Sequence, residues 1–163
     1  MEKILVSACL VGERVRYNGI VKSFESHVLK AWNRRGWVVA ICPEVAGGLP
    51  VPRPRSEISE DDGIQVLNGR KKVININGQD VTKCFLEGAQ KALELASSLG
   101  IRLAILKEGS PSCGTGYIYD GSFSGLKKPG KGVTAALLEE NDIRVFSERE
   151  IPEAEEYLNK KRR

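Results

Sequence analysis

The sequence predicts an α/β fold: a mostly parallel, Rossmann-like sheet flanked by helices, with a small β-hairpin insertion. Two observations predict it. Short apolar runs (KILVSA, WVVAI, RLAIL) alternate with longer segments of helical period, the order of a parallel sheet whose crossovers are helices. These runs lead into loops marked by Gly or Pro, which stop a strand and turn the chain.

Taken in order, Lys3 to Ala8 reads as the first strand, followed by Cys9 and a loop at Gly12. Phe24 to Arg35 has Phe24, Val28 and Trp32 at helical spacing, with Ser23 as N-cap and Gly36 as C-cap. Trp37 to Ile41 is a second buried strand that runs straight into Cys42, Pro43 and Glu44. Val45 to Arg55 contains two glycines and three prolines and is expected to be an ordered loop without regular structure. Ile64 to Leu67 and Lys72 to Ile76 flank Asn68-Gly69 and read as the hairpin. Asp80 or Thr82 caps a helix from Val81 to Leu99, whose apolar stripe is Val81, Phe85, Ala89, Ala92, Ala96 and Leu99. Arg102 to Leu106 is the third buried strand, and it delivers the chain into Ser110-Pro111-Ser112-Cys113. A glycine-rich loop follows from Gly114 to Gly132, with a short strand at Tyr117 to Tyr119. After it come a helix from Val133 to Glu140, a strand from Arg144 to Phe146 and a helix from Glu153 to Lys161. The last helix starts with acids and ends with bases, as its dipole prefers. Residues 1–147 are expected to form one domain, with 148–163 a C-terminal helix and basic tail.

With 41% hydrophobic and 28% charged residues, the chain resembles an ordinary globular protein. No apolar stretch reaches the roughly 20 residues of a membrane span, and the N-terminus lacks the pattern of a signal peptide, so the cytoplasm is the expected address. The formal charge of +4 is accounted for by Lys160, Lys161, Arg162 and Arg163, leaving a neutral body. Neither this tail nor the Lys127, Lys128, Lys131 cluster interleaves aromatics, which argues against a single-strand nucleic-acid platform. Nothing in the sequence sets the oligomeric state.

Four cysteines occur, without a CxxC pair, and His27 is the one histidine. Thioredoxin-like and His-rich zinc chemistry are therefore excluded. Cys9, Cys42 and Cys113 each follow a predicted parallel strand, directly or after a short loop, and ligands of open α/β sheets bind at the carboxyl ends of strands. Cys84 lies in a helix beside the apolar stripe and reads as a small buried hydrophobe. Three thiolates favour a soft metal centre, either zinc with a fourth ligand or a cluster with one open iron.

The stretches VSACLVGERVRYNG, CPEVAGGLPVPRPRSEI, DVTKCFLEGAQKAL and LKEGSPSCGTGYIYDGSFSG resemble the thiouracil desulfurase family, from about residue 3 to residue 147. The pairing of CPE-x-x-GG-x-P-x-PR with SPSCG carries most of the specificity. The resemblance implies that Cys9, Cys42 and Cys113 hold a [4Fe–4S] cluster with its fourth iron free. It implies that the thiocarbonyl sulfur of 2-thiouracil, or of a related small thiolated pyrimidine, binds that iron, and that water replaces the sulfur to give uracil and sulfide. It also implies that Glu44 and Ser110 are the functional side chains and that Cys84 is not a ligand. The chemistry of the residues agrees: a carboxylate beside a ligand can activate water, and a hydroxyl can hydrogen-bond the base. Arg53 and Arg55 read either as anion-binding or as structural, and Ser112 either as orienting Cys113 or as a turn residue. Tyr17 and Asn18 are candidate pocket residues, and His27 reads as exposed. The alternatives are a desulfidase of thiouridine in tRNA and a non-catalytic iron–sulfur or zinc module.

Overall fold

A computed structural model describes residues 1–163. Strand β1 (Ile4–Ser7) is buried along its whole length and ends in a 3₁₀ turn, Ala8–Val11. Helix α1 (His27–Arg34) is shorter than its apolar period suggests. Its N-cap is Ser26, whose hydroxyl accepts from the Leu29 N–H at 3.2 Å, rather than Ser23. Strand β2 (Val38–Ile41) leads into Cys42, the N-cap of a one-turn helix α2 (Pro43–Ala46). The Val45–Arg55 segment thus begins inside a helix, because Pro43 is preset for the first helical turn.

The expected hairpin needs correction. Strand β3 (Ser56–Ile58) comes next, and Ile64 to Leu67, expected as a strand, lies in the short helix α3 (Gly63–Leu67). The Asp62 carboxylate caps α3 by accepting from the Ile64 N–H at 3.1 Å, an N-cap signal that outweighs the β-branched residues behind it. Asn68-Gly69 ends this helix, with Gly69 at φ 75°, instead of turning a hairpin. Strand β4 (Val73–Asn75) pairs antiparallel with β3, so the small ribbon exists with a different partner.

Helix α4 (Thr82–Ser98) matches its expected stripe, with Phe85, Ala89, Ala92 and Ala96 buried; Leu99 lies beyond it and is exposed. Strand β5 (Leu103–Leu106) is fully buried. Strand β6 (Tyr117–Tyr119) pairs antiparallel with β7 (Lys127–Pro129), whose polar sequence carries no strand signal. Helix α5 (Val133–Glu140), strand β8 (Arg144–Ser147) and helix α6 (Ile151–Lys161) complete the chain.

The main sheet has the order β2-β1-β5-β8, with every pairing parallel. Side chains alternate between its faces. Ile4, Val6, Leu103 and Ile105 pack with Leu29 and Trp32 of α1 and with Ile151, Ala154 and Leu158 of α6. Leu5, Ala104 and Leu106 face the other way, onto Ala92 and Ala96 of α4 and Ala135 and Leu138 of α5. The protein is therefore an α/β structure with helices on both faces of a parallel sheet, and each fully buried Leu or Ile stabilises it by about 1.5–3 kcal/mol. No helix is long and apolar enough to cross a membrane.

Candidate functional site

Parallel pairing puts the carboxyl ends of β1, β2 and β5 on one rim. The residues just beyond them line a cavity of about 510 Å³, which takes in Cys9, Cys42, Glu44, Ser110, Ser112 and Cys113. A larger, more open groove of about 780 Å³ runs beside β8, but it holds none of the cysteines, so size alone does not locate the chemistry. Cys84 is half-buried in α4 and does not line the cavity, and His27 is exposed at the start of α1. Tyr17 lines the cavity, whereas Asn18 does not; the Asn18 side chain accepts from the Ile20 N–H in its own turn.

The three thiols share one electrostatic neighbourhood. Burial pushes Cys9 up to about 11, with Cys42 adding to the effect while Lys107 and Arg16 oppose it. Burial pushes Cys113 up to about 12; the Ser7 and Ser112 hydroxyls pull it down, and Cys9 and Cys42 push it further up. Cys42 is raised for the same reason, against N–H groups of Val45 and Glu44 that favour its thiolate. Each thiol is thus protonated at neutral pH until a cation displaces the proton.

Beside them runs a chain of hydrogen bonds from four parts of the sequence. The Arg53 Nε donates to Glu44 Oε1 at 3.2 Å, and its Nη atoms donate to the carbonyls of Pro50 (3.2 Å) and Val15 (2.9 Å). Arg53 is 8% exposed, and its hydrogen bonds to Glu44, Pro50 and Val15 make it an internal clamp on Glu44 at the edge of the cavity. The Ser112 Oγ lies 2.8 Å from Glu44 Oε2 and 3.1 Å from Ser110 Oγ, and Ser110 Oγ accepts from the Cys113 N–H at 2.8 Å. Each hydroxyl carries one proton. The consistent order is Ser110 donating to Ser112 and Ser112 donating to the carboxylate. Arg55 sits apart from this chain, donating to the Phe123 carbonyl with its guanidinium over the Phe123 ring.

A second carboxylate shapes the same loop. Glu108 accepts from the N–H groups of Gly109, Thr115, Gly116 and Tyr117 and from the Thr115 hydroxyl, at 2.7–3.3 Å. Burial raises its pKa, but these donors outweigh burial and hold it below the usual glutamate value. Sequence reasoning missed Ser7 because its partners, Lys107 and Cys113, are about 100 residues away, and Glu108 because the loop that folds back on it has no regular period. A lone acid or serine after an apolar run carries no signal of them.

Residues 4–150 match the 2-thiouracil desulfurase family. The chain belongs to that family. It is 47% identical over 148 residues to the protein YbbK of Bacillus subtilis, covering 91% of this chain and 97% of YbbK. It is also similar to a solved structure described as the [4Fe-4S]-dependent thiouracil desulfidase TudS. That likeness has a TM-score of 0.89 and 48% identity, over 98% of this chain and 99% of TudS. The motifs quoted for the resemblance all lie within the matched span of the desulfurase family.

Proposed function

We propose that the protein is an iron–sulfur-dependent desulfurase that removes sulfur from a thiolated pyrimidine such as 2-thiouracil, giving uracil and sulfide. Its [4Fe–4S] cluster is held by Cys9, Cys42 and Cys113, and Glu44 and Ser110 act on the substrate. The observation that carries this reading is the meeting, in one cavity, of three thiols from three strand ends with the Arg53–Glu44–Ser112–Ser110 chain. The family and the likeness to TudS support the same cofactor and reaction.

The donor set fits the cluster. Three thiols, soft donors suited to iron, line one cavity, and neither a histidine nor a fourth cysteine joins them there. A cluster held by Cys9, Cys42 and Cys113 would leave one position without a protein thiolate. Bound through three cysteines, it supplies an open iron, a Lewis acid for a thiocarbonyl sulfur. Glu44 is held through both oxygens, so its carboxylate is placed before substrate arrives. It takes one proton from the water whose oxygen bonds to the substrate carbon and returns it to the sulfur as the C–S bond breaks; the remaining hydroxyl proton is released as the carbonyl forms, giving uracil, hydrosulfide and a proton. Ser110 hydrogen-bonds the pyrimidine. Lys107 and Arg16, the cations that favour the Cys9 thiolate, also offset negative charge on departing sulfur.

Incubation of iron-loaded protein with 2-thiouracil tests the assignment, with equal yields of uracil and sulfide expected. A Glu44→Gln variant that keeps its iron and desulfurates at the wild-type rate removes the acid–base role. Thiouridine in tRNA is the second reading, favoured by one observation: Arg16, Lys22, Arg55, Lys127 and Arg149 line the same cavity and suit a polyanion. A higher kcat/KM for thiolated tRNA than for the free base moves the assignment there. We place the protein in the cytoplasm, where reducing conditions keep its four thiols free. We also read 1–147 as the desulfurase domain, with 148–163 packed on it through α6. The strand order supports a Rossmann-like description of the sheet.

A further inference from the structure

We propose that Ser7 is a positioning residue that acts through Cys113: its hydroxyl donates to Cys113 Sγ and makes that thiolate a weaker electron donor to the iron it holds. The proposal rests on the cluster reading above.

The three sulfurs have different surroundings. Cys42 Sγ lies 3.8 Å from the Val15 carbonyl oxygen, and no hydroxyl is near it. Cys113 is 4% exposed and has two hydroxyls near its sulfur, Ser7 Oγ at 3.5 Å and Ser112 Oγ at 3.6 Å. Ser112 has one proton, and Glu44 Oε2 at 2.8 Å is the nearer and charged acceptor. That leaves Ser7 to serve Cys113. Ser7 is the last residue of β1 and is 2% exposed, so bulk water does not compete for its proton. Its oxygen accepts from the Lys107 N–H at 2.9 Å, just beyond the end of β5, which orients the hydroxyl. The parallel pairing of β1 and β5 thereby fixes a donor against one ligand sulfur.

Hydrogen bonds to ligand sulfurs withdraw electron density and raise a cluster's reduction potential. By the same withdrawal the open iron becomes a stronger acceptor for a thiocarbonyl sulfur. Ser7→Thr and Ser7→Val are nearly the same shape and differ in the hydroxyl, so the pair separates the donor from packing.

The experiment is anaerobic reconstitution of wild type, Ser7→Ala, Ser7→Thr and Ser7→Val, iron and sulfide analysis, and reductive potentiometric titration of the cluster followed by electron paramagnetic resonance. The expected result is full loading throughout, a more negative midpoint in Ser7→Ala and Ser7→Val, and a wild-type midpoint in Ser7→Thr. Loss of cluster in Ser7→Val with retention in Ser7→Thr also supports the hydroxyl. Fully loaded Ser7→Ala and Ser7→Val with wild-type midpoints overturn the proposal. So does loss of cluster from all three variants, which assigns Ser7 to packing. A wild-type protein that takes up no iron is a different failure: it removes the cluster reading, and this proposal with it.

Discussion

Both oxygens of the Glu44 carboxylate are occupied by protein donors, one by Arg53 and the other by Ser112. Replacing Glu44 by Gln keeps the shape but removes the charge. Turnover of 2-thiouracil is expected to fall by about 10²–10⁴-fold, the usual contribution of a positioned acid–base group, with iron content unchanged. Ser112→Ala cuts the chain between Ser110 and Glu44 and is expected to lower kcat more than it raises KM, because the Ser112 hydroxyl is spent on Glu44 and Ser110. Cys84→Ser provides the control: it is expected to keep wild-type iron content, whereas Ser at position 9, 42 or 113 lowers it. At this scale the meeting of Cys9, Cys42, Cys113, Glu44 and Ser110 in one cavity was legible, the cysteines from their places after apolar runs and the other two only through the resemblance. The clamp by Arg53 and the bridge by Ser112 were not legible. Ser112 meets Glu44 across 68 residues of chain, and only the parallel register brings those loops together.

Helices α2 and α4 meet without side chains between them. A Cβ on Gly88 would stand 1.9 Å from the Pro43 carbonyl oxygen, and one on Gly47 would stand 1.9 Å from that of Cys84. Gly88→Ala therefore pushes away the turn that carries Cys42 and Glu44. Thermal or urea unfolding is expected to show a loss of about 1–3 kcal/mol or more, with iron loading reduced as well. The loop after β5 is held from two sides. Its Pro111 and Ser112 carbonyls accept from the first N–H groups of α5, and Glu108 gathers the N–H groups that follow Cys113. Glu108→Gln is expected to cost about 1–2 kcal/mol, low in the range for charged hydrogen bonds because the carboxylate is partly solvated. The folded pKa of Glu108 is depressed, so this contribution is present above the unfolded value of 4.5 and fades as pH falls through the folded one. Unfolding of wild type and variant compared between pH 7 and pH 3 should therefore show their difference shrinking below about pH 4.5. The buried strands and α4 were legible because burial on both faces or one stripe writes a plain pattern. Ile64 to Leu67 was misread because so short a stretch fits either period, and the deciding Asp62 cap acts through a single hydrogen bond. Strand β7 was missed because Lys127 and Lys128 gain their strand geometry from pairing with β6, not from propensity.

For the molecule as a whole, the parallel sheet does the gathering. It takes three cysteines widely separated in sequence and sets them on one rim, with helices covering both faces and loop residues lining the cavity. The architecture was legible from strand–helix alternation alone, whereas the closeness of the strand-end loops depends on the order β2-β1-β5-β8, which the alternation does not specify. The central claim is that this rim holds a cluster with one iron open to substrate. The most direct measurement is the iron and acid-labile sulfide content of anaerobically purified protein, read together with its visible spectrum before and after 2-thiouracil is added. The account predicts a brown protein with about four irons and four sulfides per chain, whose spectrum changes on adding the thiobase. A colourless protein that cannot be reconstituted, or one that holds zinc alone, would contradict it.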